Sequence, residues 1–315
     1  MNFTTKIPIS KYNNSIDYNA KIVLLGSCFA ENMGQKFQYY KFQNKVNFFG
    51  IIFNPVSIEK LIERIVNHQE FSENDIFFHN ESWHCYEVHS ELSNSNKVEF
   101  LHNLNVILQS TKNEITNATH ILITYGTSWI YRLKSNNKIV ANCHKVPQNQ
   151  FDKEILSTEI IEKSIQKTIQ LIQSINQNCN FILTLSPVRH IKDGFVENQR
   201  SKAHLITAIH NSQYIIHNSN YFPSYEIMMD ELRDYRYYTN DMLHPNSVAI
   251  DYIWERFLDN YISETAFSIM NEVENIQKSL THRPFNQNTQ AHKDFVLKLK
   301  NKIELLQKQY PNINF

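Results

Sequence analysis

Three separated segments of this 315-residue chain carry the side chains that nucleophilic catalysis needs. In the first, an apolar run from Lys21 to Leu25 delivers a glycine, a hydroxyl and a thiol in succession at Gly26, Ser27 and Cys28. Glycine permits a tight turn there, and a helix opening just after it would aim backbone amides at developing negative charge. In the last, Asp241 and His244 stand three residues apart on a turn or first helical turn, with Pro245 behind them. That spacing puts a carboxylate beside an imidazole, where it fixes the tautomer and supports an imidazolium during proton transfer. The middle segment, His120 to Trp129, again ends an apolar run in glycine, at Gly126. Cys28 is read as the nucleophile, with Ser27 as the alternative if a local shift turns it outward, His244 as proton carrier and Asp241 as its orienting partner. A thiol with a reference pKa of about 8.5 needs less activation than a hydroxyl, and a helix N-terminus together with His244 is expected to lower that value. An isolated cysteine would by default be a small buried hydrophobe; the histidine end of the pattern argues otherwise.

These residues need elements that bring them together. Lys21 to Leu25 read as a strand and Ala30 to Tyr40 as a helix; Val46 to Phe53 read as a second strand, and Pro55 opens a helix through Val66, since proline suits a first helical turn. Residues 69–98 form a polar and aromatic excursion. Phe100 to Leu108 read as a short helix, His120 to Thr124 as a buried strand, Glu154 to Ile175 as a long helix, and Phe181 to Leu185 as a strand. Gln199 to His210 read as a helix, Tyr214 to Ile216 as a strand, and the stretch behind Pro245 as a helix through Phe257. Strands alternating with helices predict a parallel sheet covered on both faces. Residues 1–260 are expected to form this α/β domain and residues 261–315 a helical extension packed on it, with helices at Ser263 to Leu280 and Ala291 to Gln309. A homodimer through those terminal helices is the alternative use of them.

Composition bounds the chemistry without naming it. Thirty-one basic and 31 acidic residues balance to zero, with no long single-sign block, which argues against bulk nucleic-acid binding. No apolar run reaches membrane-spanning length, and the first ten residues lack a signal-like apolar region; a cytoplasmic protein is expected. Cys28, Cys85, Cys143 and Cys179 show no paired Cys-x-x-Cys spacing, so neither a structural metal nor a disulfide framework is expected. His79, His84 and His89 with Cys85 resemble a metal patch in composition only, and no phosphate-loop or dinucleotide signature follows a strand, so no cofactor is assigned.

Gly26 to Ala30 spell the motif of the GSCFA family, itself similar to the SGNH or GDSL hydrolases, and further matching pieces run from Phe49 to Pro55, Thr124 to Trp129, Ser186 to His190, Gly194 to Asn198, Ser201 to Ala203, Asp234 to Arg236 and Asp241 to Pro245. The resemblance implies a flavodoxin-like three-layer α/β/α fold with a central parallel sheet. It also implies ester or acyl-transfer chemistry on a small acyl ester or an acylated carbohydrate. Laid on a Gly-Asp-Ser pattern, the chain puts Cys28 at the nucleophile position. The oxyanion glycine falls on Gly50, and the usual Gly-x-Asn becomes Gly126, Thr127 and Ser128; Ser128 offers one hydroxyl in place of an amide, with Asn54 as a compensating donor. Arg189 and His190, at the expected carboxyl edge of the sheet, and Tyr235 and Arg236 are the candidate substrate-binding residues. An acyltransferase using the same site and a non-catalytic carbohydrate-recognition domain remain the alternatives to an esterase.

Overall fold

The computed structural model describes residues 5–315 apart from Tyr214 and His217. In chain order its strands are β1 (Lys21–Gly26), β2 (Gln43–Val46), β3 (Ile76–His79), β4 (Ser82–Cys85), β5 (His120–Tyr125), β6 (Trp129–Leu133), β7 (Lys138–Val140), β8 (Phe151–Ile155), β9 (Asn180–Leu185) and β10 (Ser219–Phe222). The helices are α1 (Cys28–Tyr39), α2 (Pro55–Val66), α3 (Lys97–Asn117), α4 (Thr158–Ile175), α5 (Phe195–Gln213), the short turn α6 (Ser224–Glu226), α7 (Ser247–Tyr261), α8 (Glu264–Leu280) and α9 (Gln290–Gln309).

Strand alternation explains the layering. In β1, Val23 and Leu25 point to one face with Ile121 and Ile123 of β5 and Phe181 and Leu183 of β9, and they pack against α2, α3, α4 and α5. Ile22, Leu24, Leu122 and Ile182 point to the other face, under α1, α7 and α8. A strand buried on both sides must read as a nearly continuous apolar run, which is why these segments were visible in the sequence. Among the described residues the central sheet has the order β10-β9-β5-β1-β2, parallel throughout. The architecture is the expected three-layer α/β/α with helices following at the C-terminus. Of those, α8 buries Ala266, Met270, Val273 and Ile276 in the core shared with α1 and α7, whereas α9 buries Leu306.

Several element boundaries differ from the sequence reading, each for a local reason. Val46 to Phe53 is not a strand: β2 ends at Val46, Asn47 and Gly50 both take positive φ (41° and 75°), and Gly50 N–H closes a turn on Asn47 O at 2.7 Å. The helix expected from Glu154 begins at Thr158, because Phe151–Ile155 pairs with β6 and Ser157 caps the helix instead. The short helix at Phe100 belongs to the 21-residue α3, capped by Asn96. The last sheet strand is Ser219–Phe222 and not Tyr214 to Ile216, whose Tyr214 lies outside the described residues. Residues 69–98 carry the β3–β4 hairpin, tied to the turn after β2 by His89 N–H on Phe49 O at 2.9 Å.

Candidate active site

Because the sheet is parallel and in register, with Gly26 beside Thr124 and Thr124 beside Thr184, the carboxyl ends of β1, β5 and β9 lie in a row. The chain leaves β1 toward β2 and β5 toward β9, so the strand order reverses between them. Crevices at such reversals are where open α/β sheets hold ligands. Gly26 sits at this point with φ +128°, and a Cβ there would stand 2.1 Å from Thr124 O, so only glycine fits. Its N–H donates to the Asn47 side chain at 2.9 Å, and Ser27 N–H donates to Thr124 O at 3.1 Å. The turn is thereby fixed to β5 before α1 begins.

Ser27 and Cys28 take different parts in that turn. Ser27 is buried and caps α1, its hydroxyl accepting Phe29 N–H at 3.2 Å. Cys28, the first helical residue, is half-buried and free. Its thiol pKa is raised, against the lowering expected from the sequence. Burial is the largest cause and the carboxylate of Glu31 the next, opposed by the amides of Phe29 and Cys28 and by the charge of Lys202.

Asp241 and His244 meet as their spacing requires, with Asp241 Oδ2 2.5 Å from His244 Nδ1. The other oxygen of Asp241 accepts the Thr239 hydroxyl (2.7 Å) and the N–H groups of Leu243 (2.8 Å) and His244 (3.0 Å). These donors, His244 N–H foremost, hold its carboxyl well below the usual range. Arg189 N–H donates to Leu243 O at 3.4 Å, tying the loop after β9 to this turn. Thr239 N–H on His244 O and Asn246 N–H on Tyr237 O fasten the Tyr235–Tyr238 segment beside it.

The expected oxyanion donors are engaged elsewhere. Gly50 N–H closes its own turn, Gly126 N–H donates to Phe53 O at 2.8 Å, and Ser128 gives its N–H and hydroxyl to Ser201 at 2.8 and 3.3 Å. Asn54 caps α2, exchanging hydrogen bonds with Ser57 at 2.9 Å in both directions. The first amide of α1, at Cys28, has no intrahelical partner by position and reaches the thiol.

Lys202, which the sequence reading left without a role, is the residue the fold adds. It belongs to the inward stripe of α5 (Asn198, Ser201, Lys202, Leu205, Ala208 and Ile209), a helical spacing that could have revealed it. It is fully buried, with Nζ donating to Gly126 O and Ser186 O at 2.8 Å each. Burial pulls its pKa down to about 7, while Cys28 and Glu226 act in the opposite sense. His190 feels the same charge: burial first, then Lys202 and His244, push its pKa down to about 3, so the ring is neutral. The charge of Lys202 thus acts on Cys28 and on His190, and that of His244 on His190. His190 stacks on Phe53 (ring centroids 5.4 Å apart) and its backbone N–H donates to Asn198 Oδ1 at 2.8 Å. His190 Nε2, Asn198 Nδ2 and Arg189 Nε are buried without a protein partner.

Around these groups, the Arg189 guanidinium lies 5.4 Å over the exposed Phe195 ring and lowers the titration of the otherwise burial-raised Tyr225 and Tyr238. Tyr235 is exposed, and Arg236 pairs with Asp234 at 3.1 Å on the surface. The histidines of the β3–β4 hairpin face other partners: His84 meets Ser93 Oγ and His79 O, and His89 packs where a Cβ on Gly50 would be. Among the described residues no group of three His, Cys, Asp or Glu side chains is placed to hold a metal ion, and no helix is long and apolar enough to cross a membrane.

The site residues from Gly26 to His244 all fall within one stretch of sequence similarity. The profile of the GSCFA family matches residues 21–257, and that of the C-terminal domain of GSCFA domain proteins matches residues 273–315. A search of curated proteins found no match. With well over half the chain covered, from the first central strand to the helix behind His244, this protein belongs to the GSCFA family.

Proposed function

We propose that the protein is a thiol esterase similar to the SGNH hydrolases, removing O-acyl groups, acetyl among them, from a carbohydrate or other small ester. The observation that carries this reading is the Asp241–His244 pair. With Nδ1 held by the carboxylate at 2.5 Å, Nε2 is the nitrogen left to exchange protons with a substrate. His244 Nε2 takes the proton of the Cys28 thiol as the sulfur attacks the acyl carbonyl carbon. The carbonyl oxygen takes up negative charge near the Cys28 amide at the start of α1, where the helix dipole favours it. As the C–O bond breaks, imidazolium at His244 gives its proton to the departing alkoxide, leaving a thioester on Cys28. His244 then takes a proton from water, hydroxide adds to the thioester carbon, and the acid leaves as the C–S bond breaks and His244 returns its proton to the sulfur. Exposed aromatic faces at Phe195 and Tyr235 support a ring-bearing substrate, and Arg189 supplies a cation over Phe195.

Intact-mass analysis of wild type and Cys28→Ala against a panel of O-acetylated sugars and simple acyl esters tests the reading. A donor-derived adduct confined to wild type, then released as free acid, is the expected result. Release onto a sugar hydroxyl would identify an acyltransferase, and saturable sugar binding without any adduct would overturn the enzyme reading.

A further inference from the structure

The loop after β9 carries a permanent cation that the fold leaves without an anion. Arg189 Nε is buried with no hydrogen-bond partner, and the guanidinium lies 5.4 Å over the exposed Phe195 ring, a contact that attracts the charge but satisfies none of its N–H groups. A guanidinium stays ionised throughout the range in which proteins are folded, so burying part of one unpaired is costly. The carboxylates of the neighbouring segments are committed elsewhere: Asp193 to Lys153, Glu197 to Arg200 at 2.7 Å, Asp234 to Arg236 at 3.1 Å, Asp241 to His244 at 2.5 Å, and Glu226 to the Tyr221 hydroxyl at 2.8 and 2.9 Å. Among the described residues no carboxylate pairs with Arg189.

Two neutral groups with spare hydrogen-bonding capacity belong to the same network. Asn198 is 1% exposed, and its Oδ1 accepts the backbone N–H of His190 at 2.8 Å, which leaves Nδ2 as a buried donor with no partner. The His190 ring, stacked on Phe53, has Nε2 buried and unpartnered as well. Arg189, His190 and Asn198 are thus joined by one peptide bond and one hydrogen bond, and each keeps a buried nitrogen unmet. Native folds rarely leave buried polar atoms without partners, and three in one network call for a group from outside the chain. The network is also tied to the acid–base turn, where Arg189 N–H donates to Leu243 O at 3.4 Å, one residue before His244.

We propose that Arg189, Asn198 and His190 form a subsite for a carboxylate carried by the substrate, so that the ester processed by this protein belongs to an acidic sugar. One edge of a guanidinium offers Nε–H and an Nη–H as parallel donors, a fork that matches the two oxygens of a planar carboxylate. Asn198 Nδ2 adds a third donor, and the neutral His190 ring can meet a neighbouring sugar hydroxyl at Nε2. One permanent charge with two neutral partners balances a singly charged carboxylate better than a doubly charged phosphate. The anchored group then stands beside the turn that carries His244, with the ester end of the same molecule left to the acid–base pair. This assignment rests on the proposed function for the fate of the ligand, but not for its capture.

Binding measured without turnover tests it. Calorimetric titration with glucuronate, glucose and glucose 6-phosphate reads the preference in wild type, Cys28→Ala, Arg189→Leu, Arg189→Lys and Asn198→Asp. Wild type and Cys28→Ala should bind glucuronate at least about tenfold more tightly than glucose, the effect expected of a charge-assisted bidentate contact. Arg189→Leu should erase that preference by weakening glucuronate alone, and Arg189→Lys should keep only part of it, because an ammonium retains the charge but not the fork. Asn198→Asp keeps the acceptor for His190 N–H, replaces the free donor by a negative oxygen, and should weaken glucuronate about tenfold or more. A wild type that binds glucuronate and glucose equally, or neither, would overturn the subsite, a comparison that needs no substitution and stands even if a variant fails to fold. So would an Arg189→Leu protein with the wild-type preference, and tighter binding of glucose 6-phosphate than of glucuronate would overturn the choice of a carboxylate. Loss of the esterase reading would show instead as an absence of acyl adducts from O-acetylated glucuronate with this binding preference intact.

Discussion

Cys28 and His244 would act on one acyl group, yet their surroundings differ in kind. Cys28 stands half-buried at the start of α1, and burial penalises its ionised form. The Asp241 and His244 side chains are nearly half exposed, and the carboxylate is set by hydrogen bonds from Thr239, Leu243 and His244 within its own turn. One half is governed by desolvation, which depends on everything packed around it. The other is governed by local geometry, which four residues supply. The nucleophile should therefore respond to changes in distant elements, and the acid–base turn only to changes in itself.

The sharpest break between the halves comes from removing each in turn. Cys28→Ala should abolish the covalent adduct and lower turnover on the order of 10^4-fold or more, with an unchanged melting curve because the cap at Ser27 stays. Full turnover in a folded Cys28→Ala protein would reject the mechanism. Asp241→Asn should lower kcat by about 10^2 to 10^4-fold through loss of the tautomer and imidazolium support, while urea midpoints stay within about 0.5 kcal/mol of wild type, since the pair is at the surface. A large stability loss without a kinetic one would mean that the turn is structural.

Gly26→Ala probes the buried half through the backbone. With φ at +128° and Thr124 O in the place of a Cβ, it should cost about 3 kcal/mol of stability by urea denaturation and slow any Cys28 chemistry with it. Smaller is the pH effect. Burial depresses His190 to about 3 and His144 to about 4, below the ordinary value of about 6.5, so the unfolded chain takes up protons first as the medium is acidified. Their contribution is complete above about pH 6.5 and is lost down to about pH 3 to 4, at up to about 1.4 kcal/mol per pH unit for each group. His144→Gln should flatten the slope between pH 4 and 6.5 in urea titrations; an unchanged slope would show that the ring is solvated. Least of all, Tyr235→Ala should raise KM for a sugar ester about threefold to tenfold with kcat unchanged, as expected for a stacking contact at the rim.

Much of the fold was legible in the chain because the signals are short-range. Apolar runs at Lys21, His120 and Phe181 mark strands buried on both faces, Pro55 marks a helix start, and three-residue spacing brings Asp241 to His244 whatever surrounds them. The strand read through Val46 to Phe53 failed because its apolar residues hide two positive-φ positions, Asn47 and Gly50, and apolar periodicity carries no information on φ. The partners of the oxyanion candidates were hidden for another reason. A residue type tells which hydrogen bonds a group can make, but Gly126 and Ser128 spend theirs on Phe53 and Ser201, more than 70 residues away from each of them.

What the sequence determined by itself is therefore the central strands at Lys21, His120 and Phe181, the glycine turn that ends β1, and the carboxylate–imidazole pair, all products of torsional preference and neighbours a few residues apart. The tertiary structure decided that Ser27 is a cap and Cys28 a half-buried thiol, that its ionisation is opposed by burial, and that Lys202, 174 positions along the chain, ends fully buried at the same sheet edge. Desolvation and charge pairing depend on which distant surfaces close over a group, and only the assembled layers fix that.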